Sequence, residues 1–120
     1  MECVNYCIFD GKVVQISKIE QFVDKRKSMT AICRYILAVP RPNCNGYDYI
    51  FCTAFGNRAW YAHRHIKKGM WLTVEGHMHS TISMKEHFNL SASLTVHYQK
   101  NRWSNERSKH RNYEKMETKT

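Results

Sequence analysis

The sequence has little that would place it in a membrane or in a common class of enzyme. No apolar run approaches the ~18 residues that a membrane-spanning helix needs. The first residues, MECVNYCIFDGK, do not have the basic-then-apolar pattern of a secretion signal. There is no glycine-rich phosphate loop, no Gly-x-Ser-x-Gly and no paired carboxylate signature. We therefore expect a cytoplasmic protein with no membrane contact and no catalytic residues.

Cysteine and histidine spacings do not favour a disulfide framework or a metal site. The five cysteines are an odd number without Cys-x-x-Cys spacing, and three of them lie in strand-like segments. We expect most of them to be buried, reduced thiols. His77 and His79 share one face of a predicted strand, but no local carboxylate or thiol completes a site. We predict no metal and no cofactor.

Acidic residues are also scarce, since ten Asp and Glu stand against 19 Lys and Arg, for a net charge of +9. This balance favours an anionic partner such as nucleic acid or an acidic membrane surface. Residues 100–120 hold seven Lys and Arg against three Asp and Glu, with few large apolar groups to offset the entropy of ordering them. We expect one domain over residues 1–100 and a basic, flexible tail over 101–120.

The remaining pattern is typical of short strands with one helix. Strand-like segments run over Val4–Ser17, Thr30–Val39, Tyr47–Phe55, Trp71–His79 and Asn89–Tyr98. Residues 18–28 are interpreted as a connection, and Asn57 is predicted to cap a helix over 58–68 that Gly69 closes. Five short curved strands with a helix between the third and fourth are the order of an OB-fold, an all-β five-stranded barrel.

One predicted strand carries large rings at Tyr47, Tyr49, Phe51 and Phe55, in a chain rich in cations. Aromatic planes for bases and cations for phosphates are what single-stranded nucleic acid requires. Arg34 lies inside a strand, where a charge must face solvent or a ligand rather than the core. The alternative is that the rings are ordinary half-buried strand residues and the cations only solvate the surface.

The ordered segments resemble a family, the bacterial single-stranded DNA-binding (SSB) proteins. The matching pieces are LAVPR at 37–41, DYIFCTAFGNRAW at 48–60, HIKKG at 65–69 and TVEGHMHS at 73–80. The resemblance spans about residues 4–98 and implies the same OB-fold. It also implies binding of single-stranded DNA without strong sequence preference, protecting the strand during replication, repair, recombination or transfer. A homotetramer is the implied assembly, with a dimer as the second choice.

The resemblance also places the residues that stack on bases at Tyr49 and Phe55. Where the family often has further aromatic residues, this chain has Pro42, Asn43 and Ser83, and its last residues, KMETKT, replace the family's acidic ending. Together with exposed cations and nearby rings, the predicted DNA-binding residues are Tyr49, Phe55, Arg34, Arg41, Lys25, Arg26, Trp71 and His79.

Three other functions stay open on the sequence. A primosome-type OB protein would also bind single strands, as a dimer that contacts helicase-loading partners. A protein-interaction module would use the basic tail on an acidic partner and bind no nucleic acid. A small nuclease-like OB barrel would need clustered carboxylates, and the ten acidic residues are scattered.

Overall fold

The computed structural model describes residues 3–84 and 89–102, which form six strands and one helix, and inward and outward side chains alternate along most of the strands. The elements are β1 (Cys7–Ile16), β2 (Glu20–Val23), β3 (Met29–Pro40), β4 (Tyr47–Phe55), α1 (Asn57–His65), β5 (Trp71–Ser83) and β6 (Asn89–Asn101). The predicted basic tail lies outside the described residues, except for its first two positions, so it stays a prediction.

Five of the strands close into a ring. The order in the sheet is β1-β5-β6-β4-β3-β2, and β1 also pairs with β3, so β2 alone is left as an appended edge strand. β4 and β6 pair in parallel at Cys52–Leu94, and the other pairings are antiparallel. A closed five-stranded ring with a helix between its third and fourth strands is the OB-fold. The predicted fold class is confirmed.

The barrel interior is filled by one side of every strand in the ring. Tyr35, Leu37, Leu72, Val74 and Leu94 are almost completely buried. Two small helix residues, Ala59 and Ala62, are buried with them and bring α1 against the sheet. Because side chains alternate along a strand, burial of these residues turns the residues between them outward, onto the face where the candidate site lies.

Gly76 allows the sheet to bend sharply where β5 meets β6. The register of this pair shifts between Glu75 and Gly76, as at a β-bulge. A Cβ at position 76 would lie 1.9 Å from the carbonyl oxygen of Thr95. Only glycine therefore permits this approach of the two backbones, and the bend directs the rest of the β5–β6 hairpin.

Three local predictions were wrong. Residues 18–28 are not only a connection, because they contain β2, which pairs with β3. The helix ends at His65 rather than at position 68, because Ile66 is extended and buried. Gly56, not Asn57, occupies the N-cap, with a φ of 63° and no capping side chain.

The cysteine prediction was also wrong in its extent. Cys33 and Cys52 are buried in the barrel and Cys7 is partly buried, whereas Cys3 and Cys44 are exposed. Cys7, Cys33, Cys44 and Cys52 are free thiols. Within the described ranges, no helix has the length and apolar character that crossing a bilayer requires.

Candidate nucleic-acid interface

β4 turns a row of aromatic rings toward solvent. Cys52 and Ala54 point into the barrel, so the odd-numbered residues of β4, which alternate with them, point out. Tyr49 is 61% exposed, Phe51 55% and Phe55 39%. At ~3.3 Å per residue along the strand, Tyr49 and Phe51 are ~6.6 Å apart, and Phe51 and Phe55 are ~13 Å apart. Rings that remain open in a folded barrel are available to stack on a flat partner.

The neighbouring strands continue this outer face with polar and basic side chains. Cα partners run from Arg34 on β3 through Thr53 on β4 and Thr95 on β6 to His77 on β5. This row places the predicted Arg34 on the same sheet face as the rings. Four residues distant in the chain thus form one band across the barrel because β4 and β6 pair in parallel.

A groove of ≈ 530 Å³ runs beside the rings, which we call the central groove. Phe51 and Thr53 from β4, Arg34 from β3 and His79 from β5 line it, and Thr81, Ser91 and Ser93 of the β5–β6 hairpin form its far wall. Among the described residues that line it, Arg34 carries the one formal charge. The groove therefore combines an aromatic plane, a cation and hydroxyl groups.

Arg34 is exposed but does not stand alone. Its guanidinium Nη1 donates to Oε1 of Glu20 on β2 at 3.1 Å, and both side chains are about half exposed. An ion pair this open to water is weak, of the order of 0–1 kcal/mol. A phosphate could therefore compete with Glu20 for the guanidinium.

Arg41 lies in the loop that joins β3 to β4, beyond the tyrosine end of the ring row. Its Nε donates to Oδ1 of Asp48 at 3.0 Å, and its backbone N–H donates to the carbonyl of Gly46. Two positions with positive φ shape this loop, Asn43 at 64° and Gly46 at 124°, and glycine adopts such a value without strain. Arg41 is thus positioned next to β4, although it is paired with a carboxylate like Arg34.

Lys25 and Arg26 lie at the turn of the β2–β3 hairpin. Asp24 organises this turn, because its Oδ1 accepts the backbone N–H groups of Arg26 at 2.8 Å and of Ser28 at 2.9 Å. Both basic side chains are exposed there. They extend past the Phe55 end of β4, since Ile32 of β3 is the partner of Phe55.

Of the two remaining predicted residues, the structure brings one to the groove. His79 lines the central groove, opposite Ser93 of β6. Trp71 starts β5, opposite Lys12 of β1 and eight positions before His79, which puts it about 26 Å away along the strand at ~3.3 Å per residue. Trp71 is partly buried and does not line the groove.

A hydrogen-bond network joins α1 to β6 beneath the Phe55 end of the row. The guanidinium Nε of Arg58 donates to the carbonyl of His97 at 2.6 Å. The amide of Gln99 donates to the carbonyl of Arg58 at 2.8 Å and accepts from the Tyr35 hydroxyl at 2.6 Å. These bonds fix the helix start that directly follows Phe55 and Gly56, so Phe55 is presented from a rigid turn.

Another pair of side chains lies on the same face. The imidazoles of His77 and His97 share a hydrogen bond between Nδ1 and Nε2 at 2.7 Å, and the ring planes are nearly perpendicular. Which ring donates depends on the tautomers of the two imidazoles. The pair continues the band of polar groups from Thr95 toward α1.

Titratable groups under the groove are kept neutral. Burial raises the pKa of the Cys52 thiol to about 12 and raises that of Cys33 above its usual value. Burial also raises the pKa of the Tyr35 phenol well above its usual value. In the two described ranges, no group of three or more His, Cys, Asp or Glu side chains could hold a metal ion.

The structure adds two residues to the predicted set. Phe51 has the same strand parity as Tyr49 and Phe55, so alternation alone indicated its outward position, and of these three rings it is the one that lines the groove. Glu20 restrains Arg34, but its role depends on a strand that the sequence pattern did not indicate.

Comparison with known proteins identifies the fold. No family model and no curated protein matches the sequence. The structure is similar to the crystal structure of the SSB domain of a Synechococcus sp. protein, with a TM-score of 0.60 and 15% sequence identity. The alignment covers 82% of this chain and 97% of that chain. The barrel is thus an SSB-like OB-fold, and the similarity spans nearly the whole of that domain.

Proposed function

We propose that this protein binds single-stranded DNA, with the bases stacked on the outer face of β4 and the phosphates beside Arg34. The observation that carries the proposal is the exposed row of Tyr49, Phe51 and Phe55 next to the central groove. Every base has a π face, so stacking on such rings tolerates any sequence. Similarity to an SSB domain and the net charge of +9 support the same function.

The groups around the rings favour weak sequence preference. Hydroxyls of Thr and Ser donate and accept equally, so they do not select one base edge. Among the groove residues that the structure describes, Arg34 carries the formal charge, which suits the repeating phosphate rather than any particular base. We further propose that the bound strand is protected during replication, repair, recombination or transfer, as in SSB proteins.

The assembly that fits this role is a homotetramer, with a dimer as the second choice. One OB barrel covers only ~4–16 nucleotides, so several copies are needed to hold a useful length of strand. Light scattering at micromolar concentration should return a multiple of the 14.3 kDa chain mass. A monomer mass at that concentration would contradict this part of the proposal.

Fluorescence anisotropy with labelled oligonucleotides tests the function directly. We expect the protein to bind a dT oligonucleotide and a mixed-sequence strand with similar affinity, and a duplex of the same length more weakly. Raising the salt concentration should weaken binding with a logarithmic slope of about −0.7 for each phosphate neutralised. Equal binding to duplex and single strand would refute the assignment.

Two other functions would give different results in the anisotropy and light-scattering measurements. A protein-interaction module would show no salt-dependent binding to any oligonucleotide. A primosome-type OB protein would bind single strands as a dimer, so light scattering on the complex separates it from the tetramer.

A further inference from the structure

A second, strongly basic depression lies around the lower edge of the barrel, which we call the lysine cleft. It has a volume of ≈ 290 Å³ and lies between the end of β1 and the end of α1. Lys18 contributes from the first side, and Lys67 and Lys68 contribute from the second. His63 completes the polar lining. Nothing in the proposed stacking site uses these four side chains.

Backbone hydrogen bonds hold the turn that follows Lys67 and Lys68 against β1. The turn after α1 is tied to β1, because Gly69 N–H donates to the carbonyl of Val13 at 2.7 Å and Val13 N–H donates to the carbonyl of Met70 at 2.8 Å. Burial of Ile66 ends the helix and directs the chain into this turn. These bonds thus set the backbone positions of Lys67 and Lys68 relative to β1.

The lysine charges are not neutralised within the described part of the chain. The ion pairs found there are Arg34–Glu20 and Arg41–Asp48, and neither involves the cleft. No carboxylate lines the cleft among the described residues. Three ammonium groups that share a cleft repel one another, and a bound anion would relieve that repulsion. The negative end of the dipole of α1 would by itself explain Lys67 and Lys68, which follow that end of the helix. It does not explain Lys18, which lies on the other side of the cleft.

The lysine cleft adjoins the central groove through one residue. Ser17 lines both of them. Its position is set by Arg34, whose carbonyl accepts the Ser17 N–H at 2.8 Å and whose N–H donates to the Ser17 hydroxyl at 3.1 Å. A bound DNA strand that passes Arg34 would therefore reach the lysine cleft directly after it crosses Ser17.

We infer that the lysine cleft is a phosphate-binding extension of the DNA site, where the strand leaving the central groove is held by its backbone alone. This inference rests on the proposed function. No Phe, Tyr or Trp among the described residues lines the cleft, so it offers phosphate contacts without the stacking rings of β4. It therefore lengthens the bound segment without reading or stacking its bases.

Binding measured against oligonucleotide length tests the inference. The parent should bind a dT oligonucleotide of about 12 nucleotides at least tenfold more tightly than one of about 6, within the ~4–16 nucleotides that an OB-fold covers. Lys67→Gln combined with Lys68→Gln should leave the short oligonucleotide within twofold of the parent and remove most of the gain with length. Its salt slope on the long oligonucleotide should be shallower by about 1.4, for two phosphates at ~0.7 each.

A control variant carries the same change in net charge. Lys12 and Lys100 line neither the groove nor the cleft, so Lys12→Gln combined with Lys100→Gln should retain the gain with length.

A second probe replaces the bases at either end of the long oligonucleotide with abasic sites. At the end that enters the lysine cleft, this replacement should leave the affinity within twofold, because the bases there are not stacked.

The outcomes separate this inference from the proposed function. Failure of the parent to bind either oligonucleotide refutes the proposed function itself. If the parent binds both and the lysine double variant retains the full gain with length, the inference alone is wrong, and the cleft serves another anion such as an acidic peptide. Loss of affinity on abasic substitution at both ends would also overturn it.

Discussion

Truncation of Phe51 gives the sharpest measure of the stacking site. Phe51 lies between Tyr49 and Phe55 and is the one of these three rings that lines the central groove. It is 55% exposed in the free protein. Phe51→Ala removes this ring while the side chains that fill the barrel, such as Leu37 and Leu72, are unchanged. The variant should therefore keep its fold and lose affinity for single strands.

The size of the loss follows from the surface that a base would cover. A phenylalanine offers ~200 Å², so an exposure of 55% leaves about 110 Å² open. One stacked base covers about half of this, and at ~25 cal/mol per Å² the burial amounts to about 1.4 kcal/mol. This lies within the ~1–3 kcal/mol measured for stacked bases. The dissociation constant should rise about tenfold.

Anisotropy titrations with a labelled dT oligonucleotide at fixed salt would measure this change. Tyr49→Ala and Phe55→Ala should each weaken binding by about tenfold or more on the same argument. Tyr61→Ala is the matched control, because Tyr61 is 41% exposed on α1 and lies outside the row. If the three row variants bind like the control, with unchanged circular dichroism, then the bases do not stack on β4.

Three further changes test other parts of the structure. Glu20→Gln should tighten binding about two- to fivefold, because Arg34 loses an ion pair of ~0–1 kcal/mol that competes with phosphate. Gly76→Ala should lower the free energy of unfolding by about 1–3 kcal/mol or more in urea, because the new Cβ meets the backbone of Thr95. Burial raises the folded-state pKa of the Cys52 thiol from 9.0 to about 12. The stabilisation of the folded state by the neutral thiol is therefore complete below pH 9 and is lost as the pH rises toward 12. In urea titrations between pH 9 and pH 12, the free energy of unfolding should fall by ~1.4 kcal/mol per pH unit because of Cys52. Cys52→Ala should remove this part of the pH dependence.

Each of these changes has a control. Glu20→Gln should have no effect in an Arg34→Gln background, and a gain there would place the effect elsewhere. Ser80→Ala, at an exposed position of the same strand as Gly76, should change the free energy of unfolding by less than ~0.5 kcal/mol. Cys44→Ala, in an exposed loop, should keep the parent's slope with pH, and an equal slope for both cysteine variants would contradict the argument.

The elements that the sequence predicted well are those in which burial itself creates the pattern. β4 matches its predicted bounds, and on β5 Leu72 and Val74 are buried as their alternation indicated. β2 was missed because all four of its residues are exposed, so its pairing with β3 leaves no apolar alternation to detect. The helix end was missed because it depends on whether the barrel has room for Ile66.

The candidate site was predictable in part, for a similar reason. Strand parity and the SSB resemblance were enough to propose Tyr49 and Phe55, and both lie on the outer face. The meeting of Arg34 with His79 across the groove depends on pairing between strands distant in the chain, including the shifted register at Gly76. Local spacing contains no information about such a register.

The closed ring also has a consequence for how the chain folds. β1 must pair with both β3 and β5, and the final closure joins β6 to β4. One contact that depends on this closure, from the Tyr35 hydroxyl to Gln99, spans 64 positions. A topology so rich in distant pairings predicts slow, cooperative folding, because loop closure precedes most of the stabilising contacts. During synthesis, the barrel cannot close until β6 has left the ribosome, so the apolar side chains of the interior remain open to chaperones until then.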